Sequence, residues 1–149
     1  MSNKADDAEP NSVPILRALS TDDLGALEAG LDFAARIADA PRPLDIANVQ
    51  RLYDDYLNEQ ITDEDAIISL GLAFGDEVRR HGNFVWARVV DKYGDETCVA
   101  APKHEVHSAP ISMIQKRLRR QERIDLKHLR DATIAVMEER ILSGAAERE

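Results

Sequence analysis

The chain has 149 residues, 44% of them hydrophobic and 32% charged, and its 28 Asp and Glu outnumber 19 Lys and Arg for a net charge of -9. That length suits one domain burying about 68–70% of its unfolded surface, which excludes collagen-like, low-complexity and wholly disordered classes. Cys98 is the only cysteine, so an internal disulfide scaffold is excluded as well.

Residues 1–13 are polar and acidic without periodicity, and are read as a disordered tail closed by Pro14. Ser20 or Thr21 offers an N-cap, and Asp22 and Asp23 suit the positive end of a first helix. Leu24, Leu27, Leu31, Ala34, Ala35 and Ala38 recur at three- and four-residue steps and place one face of that helix inward. Pro41-Arg42-Pro43 ends it and forms a connector. A second helix starts near Asp45, with Ile46, Val49, Leu52, Tyr53, Tyr56 and Leu57 as its stripe. Thr62-Asp63-Glu64-Asp65 resembles a capping box, and a third helix follows on Ile67, Leu70, Phe74 and Val78. Gly71 and Gly75 lie inside it, one turn apart, and Gly82 suits a left-handed C-cap.

The period then changes. Phe84 to Val90 is rich in aromatic and β-branched residues and reads as a strand. Lys92-Tyr93-Gly94-Asp95 supplies a turn, Thr97 to Ala101 the returning strand, and His104–Ser108 a weaker third one. Pro110 sits well as the first residue of a helix striped by Ile111, Ile114 and Leu118. A final helix from about Asp125 carries Leu126, Leu129, Thr133, Val136 and Met137 and ends near Gly144, with residues 145–149 frayed. The expected architecture is a single α+β domain over 14–144: three N-terminal helices, a two- or three-stranded antiparallel hairpin or meander, and two C-terminal helices.

Chemistry-bearing patterns are weak. His104 and His107 lie between Pro102 and Pro110, where a regular helix is disfavoured, and no further ligand set accompanies them, so no metal is expected. Cys98 lies mid-strand, where a small buried residue fits better than a nucleophile partnered by His81, His104 or His107. Close carboxylate pairs are inevitable among so many acids; Asp76, beside Gly75 in an apolar stretch, is the exception. Leu70 to Asp76 lacks the spacing and the preceding strand of a nucleotide loop. No cofactor and no catalytic residue is expected.

The clearest anomaly is basic. Residues 115–130 hold Lys116, Arg117, Arg119, Arg120, Arg123, Lys127 and Arg130 against Glu122 and Asp125, which makes the segment +5 and leaves -14 elsewhere. These seven cations are the candidate interaction surface. They suit phosphates, but no interleaved aromatics accompany them for stacking on bases. Pairing with acidic helices of the same chain or a second copy is the competing reading. No apolar segment suits a signal peptide or the ~20 residues of a membrane span, so a cytoplasmic protein without membrane contacts is expected.

Taken together, Leu70-Gly71-x-Ala73-Phe74-Gly75-Asp76, Trp86, Asp91-x-Tyr93-Gly94-Asp95 and Pro110-x-Ser112-Met113-Ile114-x-Lys116-Arg117 resemble a family of small bacterial domains of unknown function. Its members show Leu-Gly-x-x-x-Gly-(Asp/Glu), a Trp strand, an Asp-x-(Tyr/Phe)-Gly turn and Pro-x-(Ser/Asp)-Met-Ile-x-Lys-Arg in that order. The resemblance covers about residues 62–120 and implies a compact α+β module with no established activity. Its residues have a scaffold reading. Gly71 and Gly75 let the third helix approach the hairpin near Trp86, and Gly94 supplies the positive φ of the turn. Met113 and Ile114 close the core, and Arg117 pairs with Asp76 or Asp91. Similar small bacterial proteins include immunity proteins that block toxins, an analogy of fold alone.

Acidity and the lack of a nucleophile or metal set lead to the expectation of a non-catalytic protein-interaction domain of immunity or adaptor type. Its partner would be another protein, a toxin or a second copy. Two alternatives stay open: a nucleic-acid-associated regulator using residues 116–130, and an enzyme with a pocket near Asp76, Trp86 and Asp91.

Overall fold

A computed structural model describes residues 14–92 and 94–148. The tail expected over 1–13, and Tyr93 in the hairpin turn, lie outside the described residues. The element order is β1 (Ile15–Arg17), α1 (Thr21–Ala38), α2 (Ile46–Glu59), α3 (Glu64–Gly82), β2 (Val85–Asp91), β3 (Gly94–Ala101), a 3-10 turn (Pro102–His104), β4 (Val106–Ser108), α4 (Pro110–Arg119) and α5 (Leu126–Arg148). The fold is α+β, with the helix and strand order that the periodicities imply.

Helix starts follow the capping chemistry. Ser20 and Asp23 form a reciprocal capping box, each side chain taking the other's backbone N–H. That bond to the Ser20 N–H, aided by Arg88 and Arg17, holds the Asp23 carboxyl below its ordinary range. Asp45 and Asp63 cap α2 and α3, accepting from Asn48 and Ala66.

Helix ends follow a different rule. Asp39, Gln60, Asn83 and Gln121 take left-handed φ values of 54–63° after α1, α2, α3 and α4. The next residue's N–H then bonds back to the carbonyl five positions earlier, as in Ile61 to Tyr56 (3.0 Å) and Glu122 to Arg117 (3.0 Å). Gly82 is therefore not the left-handed residue. It lies within α3, where the Phe84 ring occupies the space a Cβ would need, and Asn83 makes the turn.

The sheet is an antiparallel meander in the order β1-β2-β3-β4. The short third strand over Val106–Ser108 is present, and β1 adds a fourth beyond the two or three expected, pairing Ile15 with Val90 and Arg17 with Arg88. Three residues are too few to show a period of two, so this strand carries no sequence signal. Alternation puts Trp86 and Val99 on the helix-facing side. Ala87, Val89, Cys98 and Ala100 form a second cluster on the other side with Leu16.

At the centre lies α3, packed by α1, α2, α4, α5 and β3. Every residue from Ser69 to Val78 is buried. Gly71 and Gly75 permit this: a Cβ at Gly71 would stand 2.6 Å from Ile111 Cα, and one at Gly75 would stand 2.6 Å from Pro110 and 2.9 Å from Trp86. Two stripe assignments shift. Leu24 and Val136 are exposed, while Met137 is buried. Gly144, the expected end of the last helix, lies inside α5, which runs on to Arg148.

Close approach of α3 and α4 sets the first test. Gly71→Ala would press its methyl on the α4 backbone and should lower unfolding free energy by about 1–3 kcal/mol. Gly25→Ala, whose Cβ meets nothing within 4 Å, should raise it by roughly 0.5–1 kcal/mol. Urea denaturation of both variants reads the two signs.

Candidate interaction surface

The basic segment divides on folding. Arg130 leaves the surface and is 7% exposed. Its Nη1 donates to Glu77 Oε1 at 2.6 Å, and its Nε to Asp131 at 2.9 Å. Burial would lower its guanidinium pKa, but these two carboxylates outweigh burial and raise it. Glu77, 1% exposed, also accepts from Arg80 (2.7 Å) and lies 3.3 Å from His81 Nε2. Asp76 accepts from Arg79 at 2.8 and 3.0 Å and from Arg80 at 3.0 Å. Arg80 further donates to the Leu44 carbonyl, which ties the α1–α2 connector to the same cluster. Asp76 is thus engaged by its own helix and not by Arg117, whose Nη1 donates to the Met113 carbonyl.

The turn between α4 and α5 carries the other cations and is clamped by α2. Tyr53 Oη donates to the Glu122 carbonyl at 2.6 Å. Gln50 donates to the Ile124 carbonyl and accepts from the Leu126 N–H at 2.7 Å, satisfying an orphan donor of α5. Burial first, then nearby Glu122, pushes the Tyr53 phenol up to about 12, so it stays a donor. Arg123 donates to Asn58, and Arg120 lies 3.6 Å from Glu122 on the surface, where such a pair is worth little. Lys116, Arg119 and Lys127 are exposed and have no ion-pair partner among the described residues.

Beside this turn lies a half-open groove of about 440 Å³. Leu57, Ile61, Ile67 and Leu118 supply its apolar surface. Arg119 and Gln121 stand on the α4 side, Tyr56, Thr62 and Glu64 on the α2–α3 side. Burial raises the Tyr56 phenol, and nearby Asp63, Asp55 and Glu59 add to the shift, while Glu64 is the acid that lines that wall. Arg119 and Glu64 thus lie on opposite sides of the groove, and no ion pair joins them.

Among the described residues, Asp76 and Asp91 of the enzyme reading border different concavities. Asp76 borders a crevice of about 10 Å³ with Leu31 and Leu44, while Trp86 lies against Gly75. Asp91 and Gly94, which has φ +124, border a concavity of about 230 Å³ with His107, Glu96 and Ser112. There Ser112 Oγ donates to both Glu96 oxygens, at 2.8 and 3.1 Å. Burial lowers the half-buried His107 imidazole. Met113 is partly buried against the main core. Among the described residues, no group of His, Cys, Asp or Glu is arranged to hold a metal ion, and no helix is long and apolar enough to cross a membrane.

Sequence reasoning missed Gln50, Tyr53 and Tyr56. The two tyrosines lie on the apolar stripe of α2, and nothing in that stripe says that their hydroxyls face a turn some seventy residues on and an acid-rimmed groove. Glu77 was missed for a similar reason, since an acid beside three basic residues normally reads as solvated.

Two measurements follow. Arg130→Met leaves the Glu77 carboxylate to Arg80 and His81 and should cost about 1–3 kcal/mol. The Glu77→Gln/Arg130→Met pair should cost less than the sum of its single changes, as denaturant melts of the four proteins would show. Cys98 is fully buried, and burial pushes its thiol up to about 12. It should resist a thiol-reactive disulfide at mildly alkaline pH while folded and react once denaturant is added.

No curated protein and no solved structure matches the chain. A family match does extend from the cap of α2 to the first turn of α5, so it contains the buried acids, the clamped turn and both groove walls. It runs over residues 45–129, more than half the chain, and the protein belongs to the family described as Domain of unknown function (DUF3806).

Proposed function

We propose that this chain is a non-catalytic protein-interaction domain of adaptor or immunity type, acting in the cytoplasm. Its contact surface is the groove between α2 and α4 together with the α4–α5 turn. One observation carries the reading: a groove with an apolar floor is lined by Arg119 on one side and Glu64 on the other, beside a turn that carries the exposed Arg120 and Arg123. Clamping by Gln50 and Tyr53 adds weight, because a preorganised surface loses less entropy on association.

A nucleic-acid regulator using residues 116–130 has less support. Arg130 is buried against Glu77, and Arg117 is half-buried against its own helix. Glu64 lines the same groove as Arg119 and would repel a phosphate there. A protein surface offers both signs and apolar contacts.

The test places a photo-crosslinking residue at Gln115, on the groove wall, in cells of the native host. Expected are adducts to protein that fall sharply when Lys116, Arg119 and Arg120 are all changed to Glu. Adducts to nucleic acid, or a mobility shift of DNA or RNA at ~50 mM salt where phosphate contacts are strong, would overturn the reading.

A further inference from the structure

We propose that the partner seated on this groove is a second copy of the same chain, in a two-fold dimer. The inference rests on the groove being an interaction surface and names its occupant.

Arg119 on the α4 side has no ion-pair partner among the described residues, and neither does Glu64 on the α2–α3 side. Exposed Lys116 and Glu59 follow and precede the lining residues Gln115 and Gln60 in the chain. Arg119 and Glu64 line one groove without pairing with each other. A partner that spans it is favoured if it brings an acid to one side and a cation to the other.

Symmetry selects the partner. A two-fold interface uses the same patch on both molecules, so that patch must be complementary to itself after rotation. A patch of one sign fails this condition, whereas a patch with opposite signs on its two sides satisfies it. With the axis through the groove, the Arg119 side of each copy meets the Glu59–Glu64 side of the other. Leu57, Ile61, Ile67 and Leu118 of both copies lie between, where long arginine and lysine stems can cover them. Each Arg119 then faces the Glu64 of the other copy, which makes two symmetric ion pairs. A net charge of -9 on each chain opposes association at long range. That repulsion is screened beyond about 8 Å at physiological ionic strength, while the facing walls are in contact.

Charge exchange tests this with purified full-length protein. Variant one carries Arg119→Glu and Arg120→Glu; variant two carries Glu59→Lys and Glu64→Lys. All four positions are exposed, so circular dichroism should match the parent. In sedimentation velocity the parent is expected to dimerise at micromolar concentration. Each variant alone should associate at least about tenfold more weakly. An equimolar mixture should recover the dimer, because the acidic corner of one then faces the basic wall of the other. A monomeric parent, variants that associate like the parent, or a mixture that stays monomeric would each overturn the proposal. Crosslinks from Gln115 to a different protein would leave the interaction-domain reading standing even then, so the two failures are distinguishable.

Discussion

The structure turns on two adjacent carboxylates inside a helix that has no solvent side. From Ser69 to Val78, α3 is enclosed by four other helices and the sheet, and Asp76 and Glu77 fall within that stretch. An unpaired buried carboxylate is costly, so each requires cations at contact distance. Two come from the last turn of the same helix, as Arg79 and Arg80. The third, Arg130, comes from α5, which ties that helix to one position along α3. Arg80 reaches on to the Leu44 carbonyl and fixes the connector that starts α2. Such a cluster adds little to net stability compared with an apolar core. It penalises alternatives, because any slip of α5 takes Arg130 from Glu77 and leaves Arg80 as its main cation.

Placement of α5 determines the surface. Once Arg130 turns inward, its helix start at Leu126 must lie close to α2, where Gln50 takes up the free N–H. Tyr53 secures the turn before it. Lys116, Arg119, Arg120, Arg123 and Lys127 are then left outside, and Arg119 lines a groove whose other side carries Glu64 at the start of α3. The division of charge is thus a consequence of packing. One cation of seven neutralises a buried acid, another bonds its own helix, and the remaining five face solvent.

Much of the fold was legible because its causes are local. Ser20, Asp45 and Asp63 start their helices through bonds three residues on, and Leu70, Phe74 and Val78 declare a face by spacing alone. Phe84 to Val90 declares a strand by composition. Helix ends were less legible, since Gln60 and Gln121 adopt left-handed φ without the glycine that usually signals it. There the compensation is the capping bond of the following residue together with tertiary anchoring, as with Ile61 in the groove and Glu122 under Tyr53. Val136 and Met137 show the same limit on a smaller scale. Either fits the periodicity, and only the surface presented by α3 and β4 decides which is buried.

By itself the sequence determined the α+β class, the helix starts, the hairpin, the glycines at 71 and 75 and the existence of a basic segment in an acidic chain. Each of these follows from residues within about one turn or one strand of one another, so spacing encodes it. Only the tertiary structure decided that Glu77 is buried, that Arg130 belongs to it, that β1 closes the sheet edge, and that Tyr56 and Arg119 face across a common groove. Those outcomes depend on which distant surfaces meet, and a charge or hydroxyl has the same appearance in sequence whether its partner is water or a side chain fifty residues away.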